Sequence, residues 1–250
     1  MTRHRHSSVP VIKNFDIKAG RVLAGKYEVI QRLGRGWEGE VFLVSEHPTE
    51  IERAIKLFYP HRNPGDRIAN FYARKLHRLR HCPIAIQYHT RETISYRRVP
   101  VTLLVSDFVE GELLSDFLKR QPGRRLTAFQ ALHLLHALAT GIECIHQMKD
   151  YHGDLHSDNI IVQRYGLGFE LKLLDFFHWG KPRPENIRDD VINLVKILHE
   201  SVGGAARYSK QPPEIKGICC GLKHGLILKK FRTAGQLREY LENLDWNSQA

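Results

Sequence analysis

The sequence predicts an α+β fold in which a small antiparallel sheet carrying one helix precedes a mainly helical region. Two observations lead to this prediction. Three strand-like segments, one helical pattern and two more strand-like segments follow one another in the first part of the chain. Beyond them, apolar residues recur at helical spacing almost to the end. We expect the boundary between the two regions near Val109 to Gly111.

Five strands and one helix make up the first region. Residues 1–26 are expected to be loosely ordered, and one domain should follow, with residues 27–109 as its sheet-bearing part and residues 110–250 as its helical part. A helix is predicted over residues 66–80, where apolar residues recur before the break at Pro83. The predicted strands are KYEVIQRLG, EVFLV, RAIKLFY, Ile84 to Ser95 and Val101 to Phe108.

The clearest helix of the second region runs from Thr127 to Met148. Thr127 is a suitable N-cap because its hydroxyl can accept a hydrogen bond from a backbone N–H of the first turn. The predicted buried face consists of Leu132, Leu135, Ala139, Ile142 and Ile145. Further helical patterns lie at Asp189 to Glu200, Ile215 to Leu222 and Thr233 to Leu244.

Composition and charge narrow the class of protein. The chain has 250 residues, of which 42% are hydrophobic and 26% charged, and this composition argues against wholesale disorder. Its net charge of +11 favours an acidic partner. The basic stretch from Arg74 to Arg98 lacks a recognised nucleic-acid-binding module, so we expect no nucleic-acid partner. The oligomeric state stays open.

Cysteine spacing and hydropathy indicate in which cellular compartment the chain is expected. The cysteines show neither the paired spacing of a zinc site nor a disulfide framework. A reducing cytoplasm is therefore expected. No stretch is expected to reach the roughly 18 to 20 apolar residues that a membrane span needs. The four cysteines are Cys82, Cys144, Cys219 and Cys220.

A glycine-rich motif, LGRGWEGEVFLV, connects the first two predicted strands. Its glycines would let backbone N–H groups approach a phosphate closely, although an unliganded hairpin explains the pattern almost as well. A dinucleotide-binding fold would require a helix directly afterwards, and EVFLV reads as a strand. Lys56 interrupts an apolar strand 15 residues beyond Val41, and a cation there favours an anionic partner such as phosphate.

The segment YHGDLHSDNIIV carries the strongest functional signal. It places Asp154 and Asn159 five residues apart in a loop between a long helix and an apolar strand. One short loop can then hold a carboxylate that accepts a hydroxyl proton and an amide oxygen that binds magnesium. Asp175, which ends the next apolar strand in LKLLDFFHWG, could bind the same metal, although a lone Asp at a strand end is usually a cap.

The four motifs occur in the order and spacing of the protein-kinase signature set, and the chain resembles the protein kinase-like superfamily from about Tyr27 to Leu244. The resemblance implies a two-lobed kinase fold and an enzyme that uses ATP and Mg²⁺ to phosphorylate an acceptor hydroxyl. A serine/threonine protein kinase-like enzyme with a protein substrate is the favoured reading. A small-molecule kinase of the aminoglycoside-phosphotransferase type and a nucleotide-binding pseudokinase are the alternatives.

The resemblance also implies residue roles. Asp154 would be the catalytic base, supported by Lys56 and Asn159, while Asn159 and Asp175 would be the metal ligands. Asp190 resembles the buried helix aspartate that braces the catalytic loop. Phe108 and Val109 would form the hinge. The expected nucleotide-binding residues are Gly34, Gly36, Gly39, Val41, Ala54, Lys56, Asp107, Val109 and Asp116.

One departure from the family pattern concerns Lys56. The glutamate that pairs with this lysine should fall near Tyr72, but no acidic residue lies between Arg67 and Cys82. Three explanations stay open. Lys56 works unpaired, another carboxylate substitutes, or a partner completes the active arrangement.

Other departures concern control and the acceptor. Gly153 replaces the arginine that senses a phosphorylated activation loop, so control of that kind is not expected. His156 stands where serine/threonine kinases carry lysine, and Phe177 replaces the glycine of the Asp-Phe-Gly motif. Asp175 and Asp190 are only 15 positions apart, which predicts a reduced or absent peptide-docking platform.

Overall fold

A computed structural model describes residues 11–166, 168–176 and 181–244. The chain divides into two compact units. Unit 1 comprises Met1–Arg80 and Ile86–Val109, and unit 2 comprises His81–Ala85 and Glu110–Ala250. The antiparallel sheet of unit 1 and the mainly helical unit 2 confirm the predicted α+β class.

Unit 1 is built on a six-stranded antiparallel sheet in the order β1-β2-β3-β4-β6-β5. All five predicted strands and the predicted helix are present, and the short β1 is an addition. The strand expected from Ile84 begins at Tyr88 instead, because Ile84 and Ala85 belong to unit 2. The elements are β1 (Val22–Leu23), β2 (Tyr27–Arg35), β3 (Gly39–Glu46), β4 (Ile51–Phe58), α1 (Arg67–Arg78), β5 (Tyr88–Tyr96) and β6 (Val99–Asp107).

The two faces of this sheet have different environments. Ile55 and Leu57 of β4 are fully buried in the apolar core of unit 1. Ala54 and Lys56 alternate with them along the strand and are only half-buried, because successive side chains of a strand point to opposite faces. Val41 lies directly opposite Lys56 in the β3–β4 register. Ala54, Lys56 and Val41 therefore share one face of the sheet.

The chain before β2 packs against the opposite face. Ile12 and Phe15 are buried in the core, and the Phe15 ring stacks on Tyr59 with 5.2 Å between centroids. The Phe15 N–H donates to Oε1 of the fully buried Glu40 at 2.8 Å, and Asp16 N–H donates to the Tyr96 hydroxyl at 2.9 Å. We call residues 11–16 the N-terminal strap.

The strap corrects the expectation that residues 1–26 are loosely ordered, which is wrong for the described residues of that segment. The Tyr59 hydroxyl donates to the same Glu40 oxygen at 2.9 Å. Burial, with the neighbouring Glu40, raises the pKa of Tyr59 and so keeps this donor protonated. Apolar burial and a shared buried carboxylate hold the segment in place, and neither shows as a periodic pattern in the sequence.

Unit 2 contains most of the helices and a three-stranded antiparallel sheet in the order β7-β8-β9. Residues 81–85 join this unit through Ile84, whose carbonyl accepts a hydrogen bond from Leu173 N–H at 2.9 Å. The elements are β7 (Glu112–Leu113), α2 (Leu114–Arg120), α3 (Ala128–Gln147), β8 (Ile160–Tyr165), β9 (Gly168–Leu173), α4 (Pro184–Ser201), α5 (Ala205–Tyr208), α6 (Pro213–Cys219), α7 (His224–Lys230) and α8 (Ala234–Glu242).

Helix α3 is the centre of unit 2 and begins where the sequence predicted. The Thr127 hydroxyl accepts from Gln130 N–H at 3.2 Å, and the Gln130 side chain accepts from Thr127 N–H at 3.0 Å, which forms a capping box. All five residues predicted for the buried face are buried. The helix contacts α4, α8 and β9.

Helix α3 also departs from the expectation about membrane spans. Among the described residues it is the helix whose length and apolar composition would suffice to cross a bilayer, so the prediction that no stretch reaches this level is wrong. Its apolar side chains have another explanation in this fold. Leu134, Leu138 and Ile142 are at most 1% exposed, and they form the core of unit 2.

Candidate active site

The glycine-rich segment forms the turn between β2 and β3. Gly36 N–H donates to the Gly39 carbonyl at 2.9 Å and closes the turn. A Cβ atom at Gly39 would lie 1.8 Å from the Leu57 carbonyl oxygen, so the packing of β3 on β4 requires glycine there. A Cβ at Gly34 or Gly36 would meet no atom within 4 Å. The space beside these two glycines is open, as a phosphate-binding loop requires.

Lys56 lies in the middle of β4, paired with Val41 on β3 and Leu104 on β6. Its Nζ atom is 2.8 Å from Oε2 of Glu38, a residue of the glycine-rich turn. The centroid of the Tyr72 ring, on α1, is 4.9 Å from the same nitrogen. The ammonium group is thus held between an aromatic ring and a carboxylate on the half-buried face of the sheet.

The residues expected around adenine lie on and beside β6. Ala54 pairs with Ser106 across β4 and β6, and Val109 is half-buried at the end of unit 1. The Asp107 N–H donates to the Gln87 carbonyl at 3.0 Å. Because its N–H is occupied, the backbone hydrogen bond to adenine expected from Asp107 would have to be made by its carbonyl. The Asp107 carboxylate is 2.8 Å from Arg53 Nη1.

In unit 2, the loop from Asp150 to Asn159 carries the strongest sequence motif, and we call it the catalytic loop. Its conformation depends on Asp190, a fully buried carboxylate on α4. The backbone N–H groups of His152 and Gly153 donate to this carboxylate at 2.8 and 2.9 Å. His146 Nε2, on α3, lies 3.1 Å from it. These contacts confirm the bracing role that the sequence predicted for Asp190.

Gly153 has a backbone φ of +85°, which a glycine adopts without strain. The next residue, Asp154, has a side chain that is 59% exposed. The Asn159 amide nitrogen donates to the Asp154 carbonyl at 2.8 Å and lies 3.3 Å from the Asp154 carboxylate. With its nitrogen committed to Asp154, the Asn159 side chain keeps its oxygen as a ligand for a cation.

Asp175 is brought to this loop by its neighbours in the chain. Leu174 N–H donates to the Asn159 carbonyl at 2.8 Å, and the Leu174 carbonyl lies 2.9 Å from His152 Nε2. Phe176 is buried, with its ring centroid 4.7 Å from that of His152. Asp175 itself has a φ of +48°, a left-handed conformation that is uncommon outside glycine and often found at functional sites.

One predicted residue stands apart from this cluster. Asp116 lies on α2, where its exposed carboxylate is 2.7 Å from Lys119 Nζ. Phe177, predicted to replace a motif glycine, lies outside the described residues.

The donor sets of both units suit a magnesium-bound nucleotide. In unit 1, an ammonium group and an open glycine turn suit phosphate oxygens. In unit 2, the amide oxygen of Asn159 and the carboxylate of Asp175 are hard oxygen ligands of the kind that Mg²⁺ takes together with phosphates. No group of three or more His, Cys, Asp or Glu residues in the described part of the chain could hold a metal by itself.

Comparison with known proteins identifies the family. The model of the protein kinase domain family matches residues 27–187. The chain belongs to this family. The solved kinase domain of PknI from Mycobacterium tuberculosis has a TM-score of 0.66 to the chain at 20% identity, and the match covers 90% of this chain and 97% of that domain. The kinase fold predicted from the sequence is therefore confirmed.

Curated relatives of this kinase-family chain include several proteins named as protein kinases. The serine/threonine-protein kinase pkn2 of Myxococcus xanthus is 31% identical over 158 residues, which are 62% of this chain and 18% of that protein. The CBL-interacting protein kinase 29 of Oryza sativa subsp. japonica is 31% identical over 182 residues, which are 68% of this chain and 39% of that protein. The chain spans less than half the length of these relatives.

Two features of this kinase domain were missed in the sequence. Glu38, the carboxylate beside Lys56, lies within the glycine-rich motif, and an acidic residue between Gly36 and Gly39 was the available signal. The N-terminal strap had only a weaker signal, because its apolar residues Val11, Ile12 and Phe15 are too few to define a periodic pattern.

Proposed function

We propose that this kinase-family chain is an ATP- and Mg²⁺-dependent phosphotransferase that transfers the γ-phosphate to a serine or threonine hydroxyl of a protein. The observation that carries the proposal is the placement of Asp154 and Asn159 on a loop of unit 2 braced by the buried Asp190, with Asp175 next to Leu174, whose N–H donates to the Asn159 carbonyl. A buried carboxylate that binds two consecutive backbone N–H groups fixes the loop geometry. A catalytic base and metal ligands that must be placed precisely need such a fixed geometry.

Each residue has a distinct role in this proposal. Asp154, which is exposed and hydrogen-bonded to Asn159, accepts the proton of the acceptor hydroxyl. Asn159 and Asp175 hold the magnesium ion, which neutralises phosphate charge when bound.

The remaining roles belong to nucleotide binding. Lys56 binds phosphate oxygens, beneath the turn that Gly34 and Gly36 leave open. Val41 and Ala54 pack on adenine, with the backbone of Asp107 and Val109 meeting its edge. Asp116 reaches the ribose in this proposal, which requires it to leave its ion pair with Lys119.

Protein hydroxyls are favoured as acceptors because several relatives of this chain are named serine/threonine-protein kinases. A small-molecule acceptor is the second candidate, supported by the short 15-position interval between Asp175 and Asp190, which limits a peptide platform. A pseudokinase would need no carboxylate base, and the retention of Asp154 beside Asn159 argues against it. We also expect the reaction to take place in a reducing cytoplasm, because the spacing of the four cysteines shows no disulfide framework.

The test is γ-phosphate transfer from radiolabelled ATP with Mg²⁺, with and without a generic protein acceptor. Asp154→Asn should lower kcat by at least about 100-fold, because removal of a general base has an effect of that size. Asp158→Asn is the matched control, since it removes a neighbouring exposed carboxylate of the same loop. Magnesium-dependent ATP binding should survive Asp154→Asn and be lost in Asp175→Asn.

The outcomes separate the candidates. Labelled protein that disappears in Asp154→Asn but persists in Asp158→Asn supports a protein kinase. Label transferred only to added aminoglycoside-type alcohols would favour the small-molecule kinase. Magnesium-dependent ATP binding without any transfer would establish a pseudokinase, and equal transfer in wild type and Asp154→Asn would remove Asp154 from the role of base.

A further inference from the structure

Lys56 requires a carboxylate partner that its helix does not provide. Its side chain is only 14% exposed, and a cation withdrawn from water to this extent needs an opposite charge or strong hydrogen-bond acceptors. Helix α1 presents Tyr72 to the lysine, with the ring centroid 4.9 Å from Nζ. An aromatic face attracts the ammonium group but sets its position less sharply than a carboxylate oxygen does.

Two other carboxylates of unit 1, Glu40 beside the glycine-rich turn and Asp66 before α1, have different partners. Glu40 is fully buried and accepts hydrogen bonds from Phe15 N–H and the Tyr59 hydroxyl. Asp66, which precedes α1, is paired with Arg91 and accepts a hydrogen bond from the Thr102 hydroxyl. Both carboxylates maintain the structure of unit 1 and are not placed to serve Lys56.

Glu38 has the required geometry. Its Oε2 atom is 2.8 Å from Lys56 Nζ, a charge-assisted hydrogen-bond distance, and its side chain is only 17% exposed. Its backbone is also fixed, because its carbonyl accepts from Tyr59 N–H at 2.8 Å, directly beyond the end of β4. The pair is therefore shielded from solvent more than an ordinary surface salt bridge, and one of its members has an anchored main chain.

We infer that Glu38 is the positioning residue for Lys56 and replaces the glutamate that α1 lacks. The inference rests on the proposed function, in which Lys56 binds nucleotide phosphate. An ammonium group has three N–H donors, so a hydrogen bond to Glu38 leaves others for phosphate oxygens. Because Glu38 lies on the turn and not on α1, the lysine stays paired whatever the position of that helix. A displacement of α1 would then leave the ion pair between Lys56 and Glu38 in place.

The test measures nucleotide affinity by calorimetry and does not depend on transfer activity. Glu38→Gln should weaken MgATP binding about tenfold, the effect of losing one charge-assisted hydrogen bond that positions the lysine. Adenosine, which has no phosphate, should bind both proteins equally. Glu28→Gln is the matched control, because it removes an exposed carboxylate from the same sheet at a distance from Lys56.

Rescue by a relocated carboxylate tests the role directly. In the double variant Glu38→Gln/Tyr72→Glu, a glutamate on α1 stands where the tyrosine ring now meets Lys56. MgATP affinity should return to within about threefold of wild type, since the restored ion pair supplies the lost interaction. A merely structural role of Glu38 would not be rescued in this way, and melting temperatures of all variants identify any that fail to fold.

A second readout uses the nucleotide-free protein. Backbone hydrogen exchange in the Gly34–Gly39 turn should be faster in Glu38→Gln and stay fast in the double variant, because the turn loses its side-chain anchor in both. Unchanged exchange in Glu38→Gln, or MgATP affinity that is equal to or tighter than wild type, would overturn the inference. If Lys56→Met abolishes MgATP binding while Glu38→Gln has no effect, only this inference fails. If the wild-type protein does not bind MgATP, the proposed function fails as well.

Discussion

The catalytic loop of unit 2 and the glycine-rich turn of unit 1 are both expected to serve one reaction, yet only the loop has backbone N–H groups bound to a buried charge. Two consecutive backbone N–H groups of the catalytic loop bind a carboxylate, Asp190, that is fully buried. The tip of the glycine-rich turn is held by two backbone hydrogen bonds, Gly36 N–H to the Gly39 carbonyl and Tyr59 N–H to the Glu38 carbonyl, together with side-chain contacts. Glu38 reaches Lys56, and the exposed Trp37 ring lies 4.2 Å from the Arg62 guanidinium.

This difference indicates which part can adapt. Hydrogen bonds to a buried charge are strong, and breaking them leaves desolvated groups without partners, so the catalytic loop has one stable conformation. Side-chain contacts near solvent are weaker and exchange more readily with water. Under the proposed function, the restrained loop would carry the catalytic base, and the adjustable turn would let the nucleotide enter and leave.

Substitution of Asp190 should have the largest effect. Asp190→Ala leaves the backbone N–H groups of His152 and Gly153 and the His146 ring without their acceptor. We expect the free energy of unfolding to fall by about 3 to 5 kcal/mol. The measurement is urea denaturation of Asp190→Ala in parallel with a control variant. Asp189→Ala, at the exposed neighbouring position of α4, is the control and should change stability by less than about 0.5 kcal/mol. Similar losses in both variants would refute the proposed rigidity of the catalytic loop.

An intermediate effect is expected from alanine in the glycine-rich motif, where two positions form a matched pair. Gly39→Ala places a Cβ 1.8 Å from the Leu57 carbonyl oxygen and should destabilise unit 1 by about 2 kcal/mol or more, through strain between β3 and β4. Gly36→Ala meets no atom within 4 Å and should leave thermal stability nearly unchanged. Calorimetric melting distinguishes them. Equal melting temperatures would contradict the close packing at Gly39.

The smallest effect should come from Arg62→Ala. This change removes a cation–π contact at an exposed site, and the expected cost in unfolding free energy is about 0.5 to 1 kcal/mol. Hydrogen exchange in residues 34–39 should nevertheless accelerate, because Trp37 loses its partner at the tip of the turn. Unchanged exchange would show that the Trp37–Arg62 contact does not restrain the turn, and would leave Glu38 as its side-chain anchor.

Much of the fold follows from local patterns. Along the strands of unit 1, apolar residues either alternate with polar ones or follow one another, as the burial of each strand requires. The capping box at Thr127 marks the start of α3 within one residue. The buried role of Asp190 was also predicted, because its place in the motif order resembles the family pattern. The roles assigned to Lys56, Asp154, Asn159 and Asp175 stay predictions until nucleotide binding and transfer are measured.

The missed features share a physical cause. The N-terminal strap is held by Phe15, which packs on Tyr59 and bonds to Glu40, residues 44 and 25 positions away. Ile84 looked like the start of a strand, but its side chain fills the space left by Gly141 on α3, where a Cβ would lie 2.3 Å from it. Such contacts depend on distant residues, and no local periodicity reports them.

By itself, the sequence determined the α+β class, the order of the elements, and the motif set that identifies a protein kinase domain. These properties are encoded in short-range spacing, hydrophobic alternation and capping chemistry, which act within a few residues. Only the tertiary structure decided that Glu38 is the carboxylate beside Lys56 and that the strap covers the sheet. A pairing between a turn and a strand depends on where folding places the two side chains, and charge spacing along the chain does not specify that distance.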